Sequence, residues 1–555
     1  MSGAASRPDD GSAAIARLVA DAEPRASRPA GELIARLADA GLLRGAFGAD
    51  GTAADPASLA DLPLAGVGED SRTIRAGGCI AAIAGEHADG HDHLAGAAAR
   101  GASLALVTRP VSGAGLPALV VADGRRALAV AACWWYGDPS RSLGTVGITG
   151  TDGKTTTSFL AVAALEAAGI RSGLVGTVAT RIGGREGANP EHVTTPGAPA
   201  LQAALRAMVA SGDDAAVVET TSHGLALHRV DGIAYDIAIF TNLSHEHLEL
   251  HGTFEAYRAA KLSLFERLRP AAEPKVAGRW TWPSAAIVNA DDPNAAYFVA
   301  AAREAGARVI TYGLGGDAEV RATAIAEDAR RLSFDATTPT WRGRVSLRLA
   351  GRFNVMNALA IVALGHVLEL DPAAVASGLA GLDGVPGRME RVDAGQPFGV
   401  IVDYAHSPAS LGSVLDLLSP VAAAGGGGVI AVFGSAGERD RAKRPLMGRI
   451  AGERCRLVVV TDEDPRGEAP EAIVDEIVDG AIAAGRTRGV DVLGIPDRRA
   501  AIAAAFERAR PGDIVLLAGK GHERSIIRAA GPEPWDERAE ALAALARLGH
   551  RGGGA

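Results

Sequence analysis

The sequence predicts an α/β protein of open, mainly parallel sheets, and three observations carry that expectation. Apolar runs alternate with alanine-rich amphipathic segments, as in VVADGRR (120–126), LGTVGIT (143–149), AAVVET (215–220), DIAIFTN (236–242), AAIVNADD (285–292), VIVDYAH (400–406), VIAVFG (429–434), LVVVTDEDP (457–465) and DIVLLAGKG (513–521). Each run ends in polar or glycine residues, and open parallel sheets bind their ligands at those carboxyl ends. The length of 555 residues and the 48% hydrophobic content allow about three domains with full cores. Seams fall near residue 140, after CWWYGDPSRS, and near 386, where GLDGVPGRME breaks the pattern with Gly and Pro. The expected division is a disordered or loosely helical extension at 1–30, then domains at 31–139, 140–385 and 386–550.

Taking the elements in order, the extension carries Arg7, Asp9, Asp10, Arg17, Asp21, Glu23 and Arg25, which leaves no apolar signal-peptide core. No later run spans a bilayer, so membrane insertion is not expected. Cys79, Cys133 and Cys455 have no paired spacing, which argues against a disulfide framework or a thiolate metal site and fits a reducing cytoplasm. With 56 basic against 65 acidic residues there is no basic excess of the kind that drives nucleic-acid binding, so small molecules are the expected partners.

The most telling element is GITGTDGKTTT at 147–157. Gly147, Gly150 and Gly153 let the backbone curl with its amides inward, and the helix that follows adds its positive end, which together make a polyanion cradle. Lys154 can reach the outer phosphates of a nucleoside triphosphate, and the Thr155 hydroxyl is placed for a magnesium ion. The spacing is G-x-x-G-x-x-G-K-T, with Ile148 where the usual phosphate loop has its first glycine. The bland alternative is a glycine turn with a surface lysine, and the three threonines after the lysine speak against it.

With this loop, ETTSHG (219–224), TNLSHEHLELHGTFEAYRAAK (241–261), NADD (289–292), GRFNVMNALA (351–360), GVPGRMERV (384–392), DYAHSP (403–408), GERDRAKRPLMG (437–448), DEDPR (462–466) and GKGHE (519–523) resemble the Mur ligases, in order, from about residue 60 to 540. The resemblance implies the three-domain architecture of that family: a small N-terminal α/β UDP-binding domain, a central phosphate-loop ATPase sheet and a C-terminal Rossmann-like domain. It implies an amide ligase of peptidoglycan biosynthesis, in which ATP phosphorylates a muramoyl-peptide carboxylate and a diamino acid attacks the acyl phosphate. A cytoplasmic monomer is expected.

The same resemblance assigns residues. Lys154, Glu219, His247 and Lys261 match catalytic positions, with Thr155, Glu219, His247 and a carbamylated Lys261 around magnesium. Gly150, Thr151, Asp152, Gly153, Lys154, Thr155, Thr156, Asn289, Asn354, Arg388 and Asp403 match ATP contacts, with Asp291, Tyr404 and His406 beside them. GEDSR (68–72) and GEHADGHD (85–92) resemble uridine-binding segments, giving Ser71, Glu86, His87 and Ala88; Thr194, Thr195, Thr221 and Arg229 match muramoyl-peptide contacts. Arg439, Glu463, Asp464, Pro465, Arg466, Gly519 and Glu523 match the diamino-acid pocket. The chain departs from the pattern at Asp152, where asparagine is usual, and at Leu227, where glutamine is common. In the pocket, Arg466 argues for a substrate with a distal carboxylate, meso-diaminopimelate, while Asp464 in place of asparagine suits a cationic end such as L-lysine or L-ornithine; arginine-to-carboxylate recognition is the more specific contact, so meso-diaminopimelate is favoured. The rivals are a neighbouring ligase such as folylpolyglutamate synthetase, and a non-catalytic nucleotide-binding regulator of the same fold.

Overall fold

The computed structural model describes residues 10–85, 88–111, 113–189, 193–244, 248–327 and 331–550. Its contacts divide the chain into two compact units: residues 1–325, 334–345 and 355–381 in one, and 326–333, 346–354 and 382–555 in the other. The segments 326–333 and 346–354, expected in the central domain, thus group with the C-terminal residues.

In the first unit, a six-stranded sheet has the order 53–54, 43–47, 118–121, 104–107, 79–81, 67–68. Helix Gly124–Tyr136 packs Trp134 and Trp135, both buried, into its core. Asp123 caps that helix by accepting from Arg125 N and Arg126 N, and left-handed Gly137 ends it. A second, larger sheet has the strand order 185–188, 179–182, 172–175, 215–219, 144–149, 237–240, 285–289, 308–313 within this unit. Its central pairs are parallel, with Val218 beside Gly147 and Ala238 on the other side of it. Strands 144–149, 215–219 and 237–240 are buried throughout, as expected of a sheet covered by helices on both faces.

Of the two expectations for the extension, disordered or loosely helical, residues 10–22 follow the helical one, and the helix is packed rather than loose. Asp10–Ala22 is a helix whose Ile15 is 3% exposed in one core cluster with Leu143, Val175, Ile182 and Leu201. Ser12 Oγ accepts from Ala188 N at 3.1 Å, and Glu23 accepts from Trp135 Nε1 at 3.1 Å and Tyr136 Oη at 3.0 Å. The cause lies in periodicity: Ile15, Leu18, Val19 and Ala22 recur at helical spacing, and that stripe outweighs the charges between them.

In the second unit, a sheet runs 390–391, 399–403, 514–518, 429–433, 457–460, 492–494, parallel except for its first pair. Helices 408–424, 443–454 and 470–483 cover one core cluster, and 498–507 and 537–547 cover the other.

Candidate active site

Strand Gly144–Thr149 runs into the glycine loop, and helix Lys154–Ala167 leaves it. Gly150 has φ +151° and Gly153 φ +84°, and a Cβ would stand 1.9 Å from Thr241 Oγ1 at the first and 2.5 Å from Asn357 Oδ1 at the second. Only glycine meets both conditions. The loop is held from outside: Thr151 N donates to Asn242 O at 2.8 Å, Asp152 N to Asn242 Oδ1 at 2.9 Å, and Thr241 Oγ1 to Asp152 O at 2.6 Å. The Asp152 side chain is exposed. Lys154 Nζ donates to Gly150 O at 2.9 Å and Thr151 O at 2.7 Å, while Lys261 Nζ, 1% exposed, reaches the same Gly150 O at 2.7 Å. Two lysines thus converge on one carbonyl of the loop.

Glu219, fully buried, ends strand Ala215–Glu219. Its carboxylate accepts from Thr155 Oγ1 at 3.0 Å, Thr177 N at 3.1 Å and Thr177 Oγ1 at 2.8 Å. Burial pushes its pKa up, and the Thr177 hydrogen bonds and the Lys154 charge oppose that. A chain of hydroxyls continues from it. Thr177 Oγ1, its hydrogen given to Glu219, lies 3.0 Å from Thr194 Oγ1 and can accept from it; Thr195 Oγ1 donates to Glu219 O at 2.8 Å and shares a 3.0 Å bond with Thr221 Oγ1, and Arg229 donates to Thr195 O at 2.9 Å. Thr194, Thr195, Thr221 and Arg229 therefore form one network with Glu219. A carboxylate and a hydroxyl at hydrogen-bond distance are hard oxygen donors, the set a magnesium ion takes with water and phosphate, so the residues fit that ion. His247, Glu86 and His87 lie outside the described residues.

Asn289 ends strand Ala285–Asn289; its Nδ2 donates to Thr241 O at 2.6 Å and its Oδ1 accepts from Asp291 N at 3.0 Å. Asp291 accepts from Leu314 N at 2.6 Å and Gly315 N at 3.1 Å, so it holds a turn. Ser71 sits in a turn where Arg72 is paired with Asp70 at 2.8 Å, and Ala88 is exposed.

In the second unit, Asn354 Nδ2 donates to Ala350 O at 2.7 Å. Arg388 stacks over the Tyr404 ring at 4.6 Å, and Asp403 accepts from Met389 N and Ala405 N, each at 2.8 Å. Tyr404 Oη donates to Glu523 at 3.2 Å. Burial, then the Arg388 and Lys520 charges, lower the His522 pKa to about 3. Asp464 Oδ1 accepts from Lys520 Nζ at 2.7 Å and Ile527 N at 2.9 Å, and Lys520 is also paired with Glu523. Glu463 Oε2 is buried with no hydrogen-bond partner among the described residues and faces Gly519, where a Cβ would lie 2.9 Å away. Arg466 has φ +54°, a left-handed conformation uncommon for arginine, and its Nε is buried without a hydrogen-bond partner among the described residues. Glu463, Asp464, Gly519 and Glu523 thus come together; Pro465 is buried beside them, and Arg439 sits on an exposed loop. Sequence reasoning missed Lys520, although it lies inside the GKGHE motif. It also missed Thr177, Asn242, Tyr257 and Asn357, whose contacts are set by the tertiary fold.

Comparison with known proteins accounts for this arrangement. Family models match as the Mur ligase family catalytic domain over residues 63–133, the Mur ligase middle domain over 148–365, and the Mur ligase glutamate ligase domain over 387–521. The UDP-N-acetylmuramyl-tripeptide synthetase of Roseiflexus sp. (strain RS-1) is 48% identical over 493 residues, covering 88% of this chain and 96% of that one. The UDP-N-acetylmuramoyl-L-alanyl-D-glutamate--2,6-diaminopimelate ligase of Geobacter metallireducens is 39% identical over 505 residues, covering 89% and 96%. A solved structure of a UDP-N-acetylmuramoyl-L-alanyl-D-glutamate--2,6-diaminopimelate ligase superposes with a TM-score of 0.59 at 29% identity, over 89% of this chain and 96% of that one. The chain belongs to the Mur ligase family of ATP-dependent ligases.

Proposed function

We propose that this ligase joins meso-diaminopimelate to the D-glutamate carboxylate of UDP-N-acetylmuramoyl-L-alanyl-D-glutamate, with ATP converted to ADP and phosphate through an acyl phosphate. The observation that carries the choice of amino acid is the charge state of its pocket. The Asp464 carboxylate, which from sequence favoured a cationic substrate, already pairs with the buried Lys520 ammonium at 2.7 Å, which Glu523 shares. Arg466 has no carboxylate within ion-pair distance among the described residues and keeps a strained backbone, so it is the group poised for a distal carboxylate. L-lysine and L-ornithine have no such carboxylate to offer it.

The division of labour follows the chemistry. A carboxylate attacking a triphosphate brings negative charges together, and Lys154 and the loop amides offset them. Thr155 and Glu219 would hold magnesium, with Lys261 as a carbamate and His247 completing the set, and the ion would supply charge neutralisation of the phosphates. Thr194, Thr195, Thr221 and Arg229 orient the muramoyl peptide; Ser71 and residues 86–88 read its UDP. Asn289, Asn354, Arg388 and Asp403 bind the nucleotide, and Arg439, Glu463, Gly519 and Glu523 complete the diamino-acid pocket. We assign these roles to domains at 31–139, 140–385 and 386–550, in a cytoplasmic monomer. The test is phosphate release that requires ATP, magnesium, the UDP-dipeptide and a diamino acid together. Release of phosphate without the UDP-dipeptide would contradict the reaction.

A further inference from the structure

We propose that Arg498 is a positioning residue for the diamino-acid pocket: its buried guanidinium fixes the separation of the two strand ends that carry Glu463–Arg466 and Gly519–Glu523. This rests on the reaction proposed above and goes beyond the residues assigned there.

Arg498 opens helix Arg498–Glu507, and its side chain is fully buried. Nη1 donates to Asp462 O at 2.9 Å and Nη2 to Ala518 O at 2.8 Å. These are the carbonyls immediately before Glu463 and Gly519, at the carboxyl ends of strands Leu457–Val460 and Ile514–Ala518. The two strands are not neighbours, because Val429–Phe433 lies between them in the sheet. No backbone ladder can therefore tie these two ends directly to each other. The planar fork of one guanidinium bridges them instead.

The fork is itself held rigid. Glu537, also fully buried, accepts from Arg498 Nη2 at 2.6 Å and from Nε at 2.9 Å, and Trp535 Nε1 donates to the same carboxylate at 2.6 Å. Nearby, Asp462 N and Thr461 Oγ1 both donate to Pro496 O, at 3.1 Å each, which seats the first strand end against the segment leading into Arg498. On the pocket side, Lys520 spans the same two ends through Asp464. Arg498 and Lys520 are thus two clamps across one gap, one lining the pocket and one outside it. Without the outer clamp, the Lys520–Asp464 pair alone is left to hold Glu463 and Gly519 at their spacing.

Two variants test this. Arg498→Lys keeps a cation beside Glu537 but cannot span both carbonyls. The double variant Arg498→Met with Glu537→Gln removes the buried pair together, so that no lone charge is left inside, and keeps an acceptor for Trp535. For each, KM is measured for the diamino acid, ATP and the UDP-dipeptide, and hydrogen exchange is followed in peptides covering 461–467 and 517–524. The expected result is a KM for the diamino acid raised about tenfold or more, the other two within about twofold, and faster exchange in both peptides, with the wild-type circular dichroism retained. If Arg498→Lys does not fold, the double variant decides. A folded variant with a normal diamino-acid KM, or with equal rises for all three substrates, would overturn the proposal. Wild-type protein inactive with every diamino acid would refute the reaction instead; Arg498 would then be judged by exchange alone, and unchanged peptides would overturn its role.

Discussion

Lowering the pH from about 7 to about 5 should destabilise the C-terminal unit through His522, and replacing that residue should remove the effect. Burial, followed by the charges of Arg388, Lys520, Arg524 and His406, brings its pKa from 6.5 down to about 3. In the unfolded chain the imidazole gains a proton below about pH 6.5, while in the folded protein it stays neutral until about 3. The unfolded state therefore binds more protons between those limits, so stability is complete above 6.5 and falls as the pH drops. At about pH 5 the gap is roughly 1.5 pH units, or at most about 2 kcal/mol, the ceiling applying because the ring is only partly covered. For a unit of this size that is about 4–8 °C in Tm. His522→Phe keeps a ring against Tyr404, whose centroid is 5.0 Å away, and cannot titrate. Denaturant unfolding of both proteins at the two pH values should show the wild type losing about 2 kcal/mol more than the variant. Equal losses would mean that the folded protein protonates this ring normally, and would refute the electrostatic reasoning.

Other expectations are as direct. Lys154→Ala should cut kcat by about 10²–10³-fold or more with the circular dichroism unchanged, because a cation held over the phosphate loop is lost. Near-normal turnover would remove this loop from the chemistry. Arg466→Ala should raise the KM for meso-diaminopimelate about 10²-fold while the KM for ATP holds, as removal of a charge-assisted carboxylate contact requires. Equal effects on both would place that arginine elsewhere. Ile15→Ala should lower stability by about 2–4 kcal/mol in thermal or denaturant unfolding, since the side chain is 3% exposed within the core. No change would mean that helix Asp10–Ala22 contributes nothing to that core.

The parallel sheets were legible because each strand is a short apolar run ending in polar residues, and the phosphate loop because glycine spacing and a lysine speak locally. Glu219 could be placed for the same reason, at the end of AAVVET. What escaped was set by charge and by tertiary contact. The charges in residues 10–25 masked the stripe of Ile15, Leu18 and Val19. Asp464 looked like a lone acid because its partner Lys520 is 56 residues away. Arg498 stands outside every recognised motif, and only the fold brings it to Asp462 O and Ala518 O. Gly153 was legible as a turn, but its need to clear Asn357 was not.

The most direct measurement is phosphate release from ATP with UDP-N-acetylmuramoyl-L-alanyl-D-glutamate, offering meso-diaminopimelate, L-lysine and L-ornithine separately and checking the product mass. Pairing of Asp464 with Lys520, and an Arg466 left for a carboxylate, predict turnover with meso-diaminopimelate and little with the other two. Preferential turnover with L-lysine or L-ornithine would contradict that reading of the pocket.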